Sequence, residues 1–172
     1  MSAPLRLGIA GLGTVGIGVV KIVQAQADLI AARAGRAVAV TAVSARDPKK
    51  NRDADLSAYA WEADPVALAR RPDVDVFVEV MGGHDGPAKA ATAAAIASGK
   101  DVVTANKALL AHHGQALAEA AEAQGCALRF EAAVAGGIPV IKALTEGLSA
   151  NRITRVMGVM NGTCNYILTR MQ

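Results

Sequence analysis

Along the chain, short apolar runs alternate with longer stretches in which apolar residues return every three or four positions. Leu5 to Ala10 is a short, largely apolar run met at once by glycine, which predicts a buried strand. Thr14 to Ala32 then carries Val15, Val19, Ile22, Val23 and Leu29 or Ile30 at helical spacing, before a break at Gly35 and Arg36. Val38 to Val43 predicts a second strand, and the polar stretch Ser44 to Ser57 a loop. Asp64 and Pro65 supply a cap and a first-turn proline for a short helix that Pro72 closes. Val74 to Val80 and Asp101 to Thr104 predict the third and fourth strands, with a small-residue helix from Pro87 to Ser98 between them. Lys107 to Gln124 is helical up to Gly125, Ala127 to Glu131 predicts a fifth strand, and a further helix starts near Pro139. Ile153 to Asn161 and Thr163 to Met171 read as one more strand and helix.

Strands alternating with helices in this way define an α/β protein with a mainly parallel, doubly wound sheet, helices lying on both faces because crossovers are right-handed. The 172 residues are 52% apolar but only 3% aromatic, so the core must be built from Ala, Val, Leu and Ile. The net charge is +3, yet the basic residues are scattered and only Arg46, Lys49, Lys50 and Arg52 cluster. No aromatics interleave with them, as a single-strand surface would need, so no nucleic-acid partner is expected and a small anion such as phosphate fits better. Cys126 and Cys164 lie far apart without metal-ligand spacing and read as reduced thiols. The longest uncharged runs, Leu7 to Val20 and Val156 to Thr169, have 14 residues each, too few to span a bilayer. The amino terminus lacks signal-peptide features, and the expectation is a cytoplasmic protein with no membrane partner.

Gly11, Gly13 and Gly16 match the spacing G-x-G-x-x-G, with a predicted strand directly before and a helix directly after. In that context Gly11 permits the tight turn, Gly13 lets backbone approach a pyrophosphate, and Gly16 lets helix and strand pack closely. The residues after the second strand separate NAD from NADP, since an acid there bonds a ribose 2′-hydroxyl and an arginine accommodates a 2′-phosphate. Ser44 and Arg46 come first, Asp47 one residue late, which favours NADP over NAD. Glu79 lies inside an apolar strand, either as a strand-end residue facing the cleft or as a paired structural acid. His84 and Asp85 fall in the next loop, and His112 and His113 on an alanine-rich helix surface. Thr104 to Lys107 follows the fourth strand, on the edge where such sheets bind ligands, and a lysine opening a helix is disfavoured by the dipole. Glu131 to Pro139 forms another strand-to-helix elbow, which spacing alone reads as a loop.

Four segments together resemble the homoserine dehydrogenases: Gly11 to Gly16, Val102 to Leu110, Ala135 to Pro139 and Asn161 to Leu168, in this order and at these distances. The similarity runs from Leu5 to the last residue, and the later three motifs are more specific than the first. It implies a Rossmann-type NAD(P)-binding domain over residues 1–138. Residues 139–172 would begin an α+β substrate and dimerisation domain. The implied reaction is the NAD(P)-dependent interconversion of L-homoserine and L-aspartate 4-semialdehyde in threonine and methionine biosynthesis, by an enzyme that is a homodimer when intact. Position by position, the resemblance assigns the cofactor to Leu12, Thr14 and Val15 with the flanking glycines, the 2′-phosphate to Arg46, and the nicotinamide–substrate junction to Lys107. It implies a sodium site of main-chain carbonyls from Glu131, Val134, Gly136 and Ile138, and a cleft lined by Asn161, Gly162 and Thr163. The family's substrate-binding acids and proton-donating lysine fall beyond Gln172, so this chain is expected to supply the cofactor half and to be inactive alone. Two other readings stay open, a non-catalytic NAD(P)-binding module and a related aspartate-pathway oxidoreductase. A semialdehyde dehydrogenase would need a nucleophilic cysteine, and neither Cys126 nor Cys164 stands where one is expected.

Overall fold

The computed structural model describes residues 2–158 and 162–171. Its six strands are β1 (Leu5–Ala10), β2 (Val38–Ser44), β3 (Ala60–Glu62), β4 (Val76–Glu79), β5 (Asp101–Thr104) and β6 (Leu128–Arg129). They form one sheet in the order β3-β2-β1-β4-β5-β6, every neighbouring pair parallel. The helices are α1 (Thr14–Ala25), α2 (Ala27–Ala34), α3 (Pro65–Arg70), α4 (Pro87–Ala97), α5 (Lys107–Gln124), α6 (Val140–Lys142) and α7 (Gly162–Arg170).

Each face of the sheet carries its own core. Alternation along β4 sends Val76 and Val78 to one side, with Leu7, Ile9, Val20, Val40 and Val43, and Phe77 to the other, with Leu68, Ala91, Ile96, Leu109 and Leu117. Because Ala88, Ala91, Ala94 and Ala95 face inward, α4 lies close against the sheet without large side chains. Lys100 is buried at the amino end of the sheet, where its ammonium donates to the carbonyls of Arg71 (2.7 Å) and Val74 (2.6 Å).

The structure departs from the sequence reading at several places. The helix expected to run from Thr14 to Ala32 is two helices bent by 84°, broken at Gln26 (φ −121°, ψ 27°). Apolar periodicity lapses there; in the last turn of α1, the Gln24 amide donates to the Asp55 carbonyl and the Tyr59 hydroxyl. Strand β3 was not anticipated, being three residues long at the sheet's edge. The expected strand Ala127 to Glu131 shrinks to β6, since Glu131–Ala133 turns into a 3₁₀ helix. The helix expected from Pro139 is interrupted, α6 passing into a π-turn over Ala143–Gly147. Residues 153–158 of the strand expected over Ile153 to Asn161 carry no strand, and 159–161 lie outside the described residues. Among the described residues, no single helix is long and apolar enough to cross a membrane.

At the amino end, Arg6 grips Asp75 with its backbone N–H (2.9 Å), Nε (3.0 Å) and Nη2 (2.7 Å). These hydrogen bonds hold the Asp75 carboxyl down to about 2. A carboxyl depressed in the folded state stabilises the fold above its unfolded value of about 4 and loses that contribution as pH falls towards 2. Asp75→Asn is therefore expected to cost about 1 kcal/mol at neutral pH, the pair being partly exposed, and the deficit should shrink in acid. Denaturant unfolding at pH 7 and below pH 3 measures both values; an equal deficit at the two would exclude the ion pair as its cause.

Candidate functional site

The strand order changes direction between β1 and β4, and at the carboxyl ends of these two strands the chain makes the glycine-rich turn. Gly11 follows β1 with φ +101°, and a Cβ there would meet the Val80 carbonyl oxygen at 2.5 Å. A Cβ on Gly16 would lie 1.8 Å from the Gly11 carbonyl oxygen. Both glycines are thus demanded by the protein's own packing. Gly13 differs: it caps α1 without any side-chain hydrogen bond, and nothing lies within 4 Å of where its Cβ would stand. The first amides of a helix have no intrahelical acceptor, so Gly13, Thr14 and Val15 border an anion cradle that the chain leaves open. Leu12 is buried beneath it, while Thr14 and Val15 are exposed.

Beside the cradle is a cleft of about 490 Å³, lined by Val15, Val80, Met81, Gly82, Gly83, Ala105, Asn106, Lys107 and Ala108. A hollow of similar size, about 470 Å³, lies at the amino end around Arg6, Arg36, Asp75 and Asp101. Open α/β sheets bind ligands at the carboxyl end, which makes the first of these the candidate site. Its two rims are tied together through Glu79, which is fully buried at the end of β4 beside its register neighbour Thr104. One Glu79 oxygen accepts the Met81 N–H (2.8 Å) and the other the Thr104 hydroxyl (2.7 Å). Thr104 Oγ1 in turn accepts the Asn106 N–H (3.0 Å). Asn106 caps α5 by accepting from Leu109 N–H (3.0 Å) and donates its amide to the Gly83 carbonyl (2.7 Å). The two readings of Glu79 merge: it stands at a strand end behind the cleft, and among the described residues hydrogen bonds rather than a cation satisfy it. Lys107 is the first residue of α5 and stands exposed at the cleft.

The loop after β2 is placed as the sequence suggested, with one shift. Ser44 belongs to β2 and is buried, its carbonyl accepting from Gly11 N–H (2.8 Å). Arg46 is exposed, and Asp47 turns its carboxylate back onto the Lys49 N–H (2.8 Å). The three histidines, read separately as loop and surface residues, converge. His84 stacks on His112 (ring centres 4.3 Å apart), and both His84 (3.2 Å) and His113 (3.0 Å) meet the Asp85 carboxylate. His113 above all, then His84 and Lys89, hold Asp85 below the usual carboxylate range.

At the elbow, the Glu131 carbonyl accepts from Val134 N–H (3.2 Å) and that of Ile138 from Val140 N–H (2.8 Å). Ala135 and Gly136 both have positive φ, 56° and 61°. The Glu131 carboxylate caps α6, accepting from Ile141 and Lys142 N–H. Among the described residues no group of three or more His, Cys, Asp or Glu side chains is arranged to hold a metal. Cys126 is free and half-buried, burial pushing its thiol up. Asn161 lies outside the described residues, and Gly162 and Thr163 open α7.

A six-stranded parallel sheet in this order, with an open glycine-rich cradle at its switch point, is a Rossmann-type dinucleotide-binding domain. The sequence profile of the homoserine dehydrogenase NAD-binding domain matches residues 11–131, and that of homoserine dehydrogenase matches 139–172. A homoserine dehydrogenase of Pseudomonas aeruginosa is 48% identical over 169 residues, covering 98% of this chain and 38% of the relative. One of Bacillus subtilis is 46% identical over 167 residues, covering 97% and 38%. The crystal structure of a homoserine dehydrogenase from Thiobacillus denitrificans superposes with a TM-score of 0.87 at 44% identity, covering 98% of this chain and 39% of its own. The chain belongs to the homoserine dehydrogenase family. It spans about 38% of the length of these curated relatives.

Proposed function

We propose that this chain is the cofactor-binding part of an NAD(P)-dependent enzyme that interconverts L-homoserine and L-aspartate 4-semialdehyde. The observation that carries the reading is the open cradle at Gly13 beside a cleft edged by Lys107. A dinucleotide's pyrophosphate would rest on the first amides of α1, with Gly11, Leu12, Gly13, Thr14, Val15 and Gly16 forming the turn. The nicotinamide would face the cleft, between Val15 and the Thr104–Lys107 rim. The cofactor supplies hydride when bound. Lys107, exposed where that ring would end, would hold the substrate at the junction through its ammonium.

NADP is the favoured form. Arg46 is exposed directly beyond β2, while Asp47, the acid that would bond a 2′-hydroxyl, turns one carboxylate oxygen onto the Lys49 N–H of its own loop. A hyperthermophilic archaeal homoserine dehydrogenase solved with NADPH shares the fold, with a TM-score of 0.80 at 22% identity. For sodium, the carbonyls of Glu131, Val134, Gly136 and Ile138 are the proposed ligands. A carbonyl has two lone pairs, so the backbone bonds at Glu131 and Ile138 leave each an acceptor site. The domain boundary falls near residue 138, and exposed Tyr166, Ile167, Leu168 and Met171 on and beside α7 favour a homodimer in the intact enzyme.

The test exchanges residues 1–172 into the Pseudomonas aeruginosa relative and follows homoserine-dependent reduction of NADP. Turnover is expected in the exchange protein, a loss of at least about 100-fold in its Lys107→Ala variant, and none in the 172-residue chain alone. A folded exchange protein that binds NADPH without oxidising homoserine would contradict the proposal.

A further inference from the structure

Arg52 is a half-buried guanidinium whose contacts are unusual for a loop residue. Its Nε donates to the Leu12 carbonyl in the glycine-rich turn (3.3 Å), Nη1 to the Lys50 carbonyl (2.9 Å) and Nη2 to the Asp47 carbonyl (2.5 Å). Its central carbon lies 5.4 Å from the ring centre of Trp61, on edge strand β3. An exposed loop is therefore fastened at one point to the cradle and to the sheet. The Leu12–Gly13 peptide is planar and trans, so its C=O and N–H point in opposite directions. Holding the Leu12 carbonyl with a charged donor aims the Gly13 N–H the opposite way, and of Gly11, Gly13 and Gly16 it is Gly13 whose surroundings are open. The same guanidinium holds the loop that starts with Arg46.

We infer that Arg52 is a positioning residue that orients the Leu12–Gly13 peptide for a dinucleotide's pyrophosphate and couples that cradle to the Arg46 loop, without itself touching the 2′-phosphate. The inference rests on the cofactor-binding reading above and deepens it. One N–H on each of its three nitrogens goes to a backbone carbonyl and its face lies against Trp61, so it acts on what every nicotinamide dinucleotide shares. Arg46, exposed at the surface, acts on what distinguishes NADPH.

The experiment titrates the 172-residue chain and its Arg52→Met, Arg52→Lys and Arg46→Ala variants with NADPH and with NADH. Trp61 is the single tryptophan, so its emission reports the contact directly. Arg52→Met is expected to weaken both cofactors by the same factor, about ten-fold, the scale of one charge-assisted hydrogen bond. Without cofactor, it should also make Trp61 more open to acrylamide quenching. Arg46→Ala should weaken NADPH alone and leave Trp61 unchanged. Loss of NADPH binding alone in Arg52→Met would show direct phosphate contact and overturn the inference, as would unchanged binding of both. If Arg52→Met does not fold, Arg52→Lys carries the test, since it keeps the charge and loses the fork; a smaller loss shared by both cofactors is expected, and a loss confined to NADPH, or none, overturns it. A native chain that binds neither cofactor overturns the cofactor-binding reading and this inference with it. A native chain that binds while its Arg52 variants bind equally well overturns this inference alone.

Discussion

Gly13→Ala is expected to leave the fold standing while weakening a nicotinamide dinucleotide by at least about ten-fold, whereas Gly16→Ala is expected to damage the fold itself. The distinction comes from what an added methyl meets. At Gly16 it would sit 1.8 Å from the Gly11 carbonyl oxygen and 3.2 Å from a Val80 methyl, so α1 must move away from the turn. Such overpacking against backbone costs more than about 3 kcal/mol. At Gly13 it meets nothing, and φ −80° suits any residue, so stability should change by less than about 1 kcal/mol. The methyl would instead fill the space through which backbone approaches a pyrophosphate. Denaturant unfolding and cofactor titration of both variants measure the contrast. Equal destabilisation, or undiminished binding by Gly13→Ala, would show that the glycines serve only the turn.

Glu79→Ala is expected to be the other large effect. The carboxylate is wholly enclosed, and among the described residues it is balanced by the Met81 N–H and the Thr104 hydroxyl, not by a cation. Removing it strands the buried Thr104 hydroxyl and the partly buried Met81 N–H, a buried donor being worth about 1–3 kcal/mol when left unpaired, so a loss of about 2–3 kcal/mol is expected. Glu79→Gln should be milder, because the amide keeps one acceptor and turns a donor towards only one of the two groups. The damage should be local as well as global. Amide exchange at Met81 and Asn106 should quicken, since both N–H groups depend on this chain of bonds. Wild-type stability in Glu79→Ala would mean that the network carries no weight and that water replaces it without cost.

Where a feature depended on neighbours in sequence, it was legible before the structure. Lys107 opens α5 and Gly125 ends it in the left-handed region because Asn106 and Gly125 are local caps. Asp64 and Pro65 start α3 for the same reason, the Asp64 carboxylate accepting from Val66 N–H (2.9 Å). The family's motifs could be read, because glycine spacing and strand–turn–helix order are written along the chain. What could not be read was set by contacts between distant residues. Arg52 meets Leu12 across 40 positions, Asp85 meets His113 across 28, and Thr104 meets Glu79 across 25. Strand β3 exists because β2 offers it an edge to pair with, Val43 beside Trp61, rather than through any long apolar run of its own. The Gln24 side chain likewise finds its partners, the Asp55 carbonyl and the Tyr59 hydroxyl, in the loop beyond β2.

Whether the glycine-rich turn holds a nicotinamide dinucleotide is decided by titrating the unaltered 172-residue chain with NADPH, with NADH as comparison. One NADPH per chain is expected to bind saturably, accompanied by energy transfer from Trp61 to the reduced nicotinamide, with NADH binding more weakly. A folded chain that binds neither, with its Trp61 emission unmoved at saturating cofactor, would contradict the cofactor-binding reading.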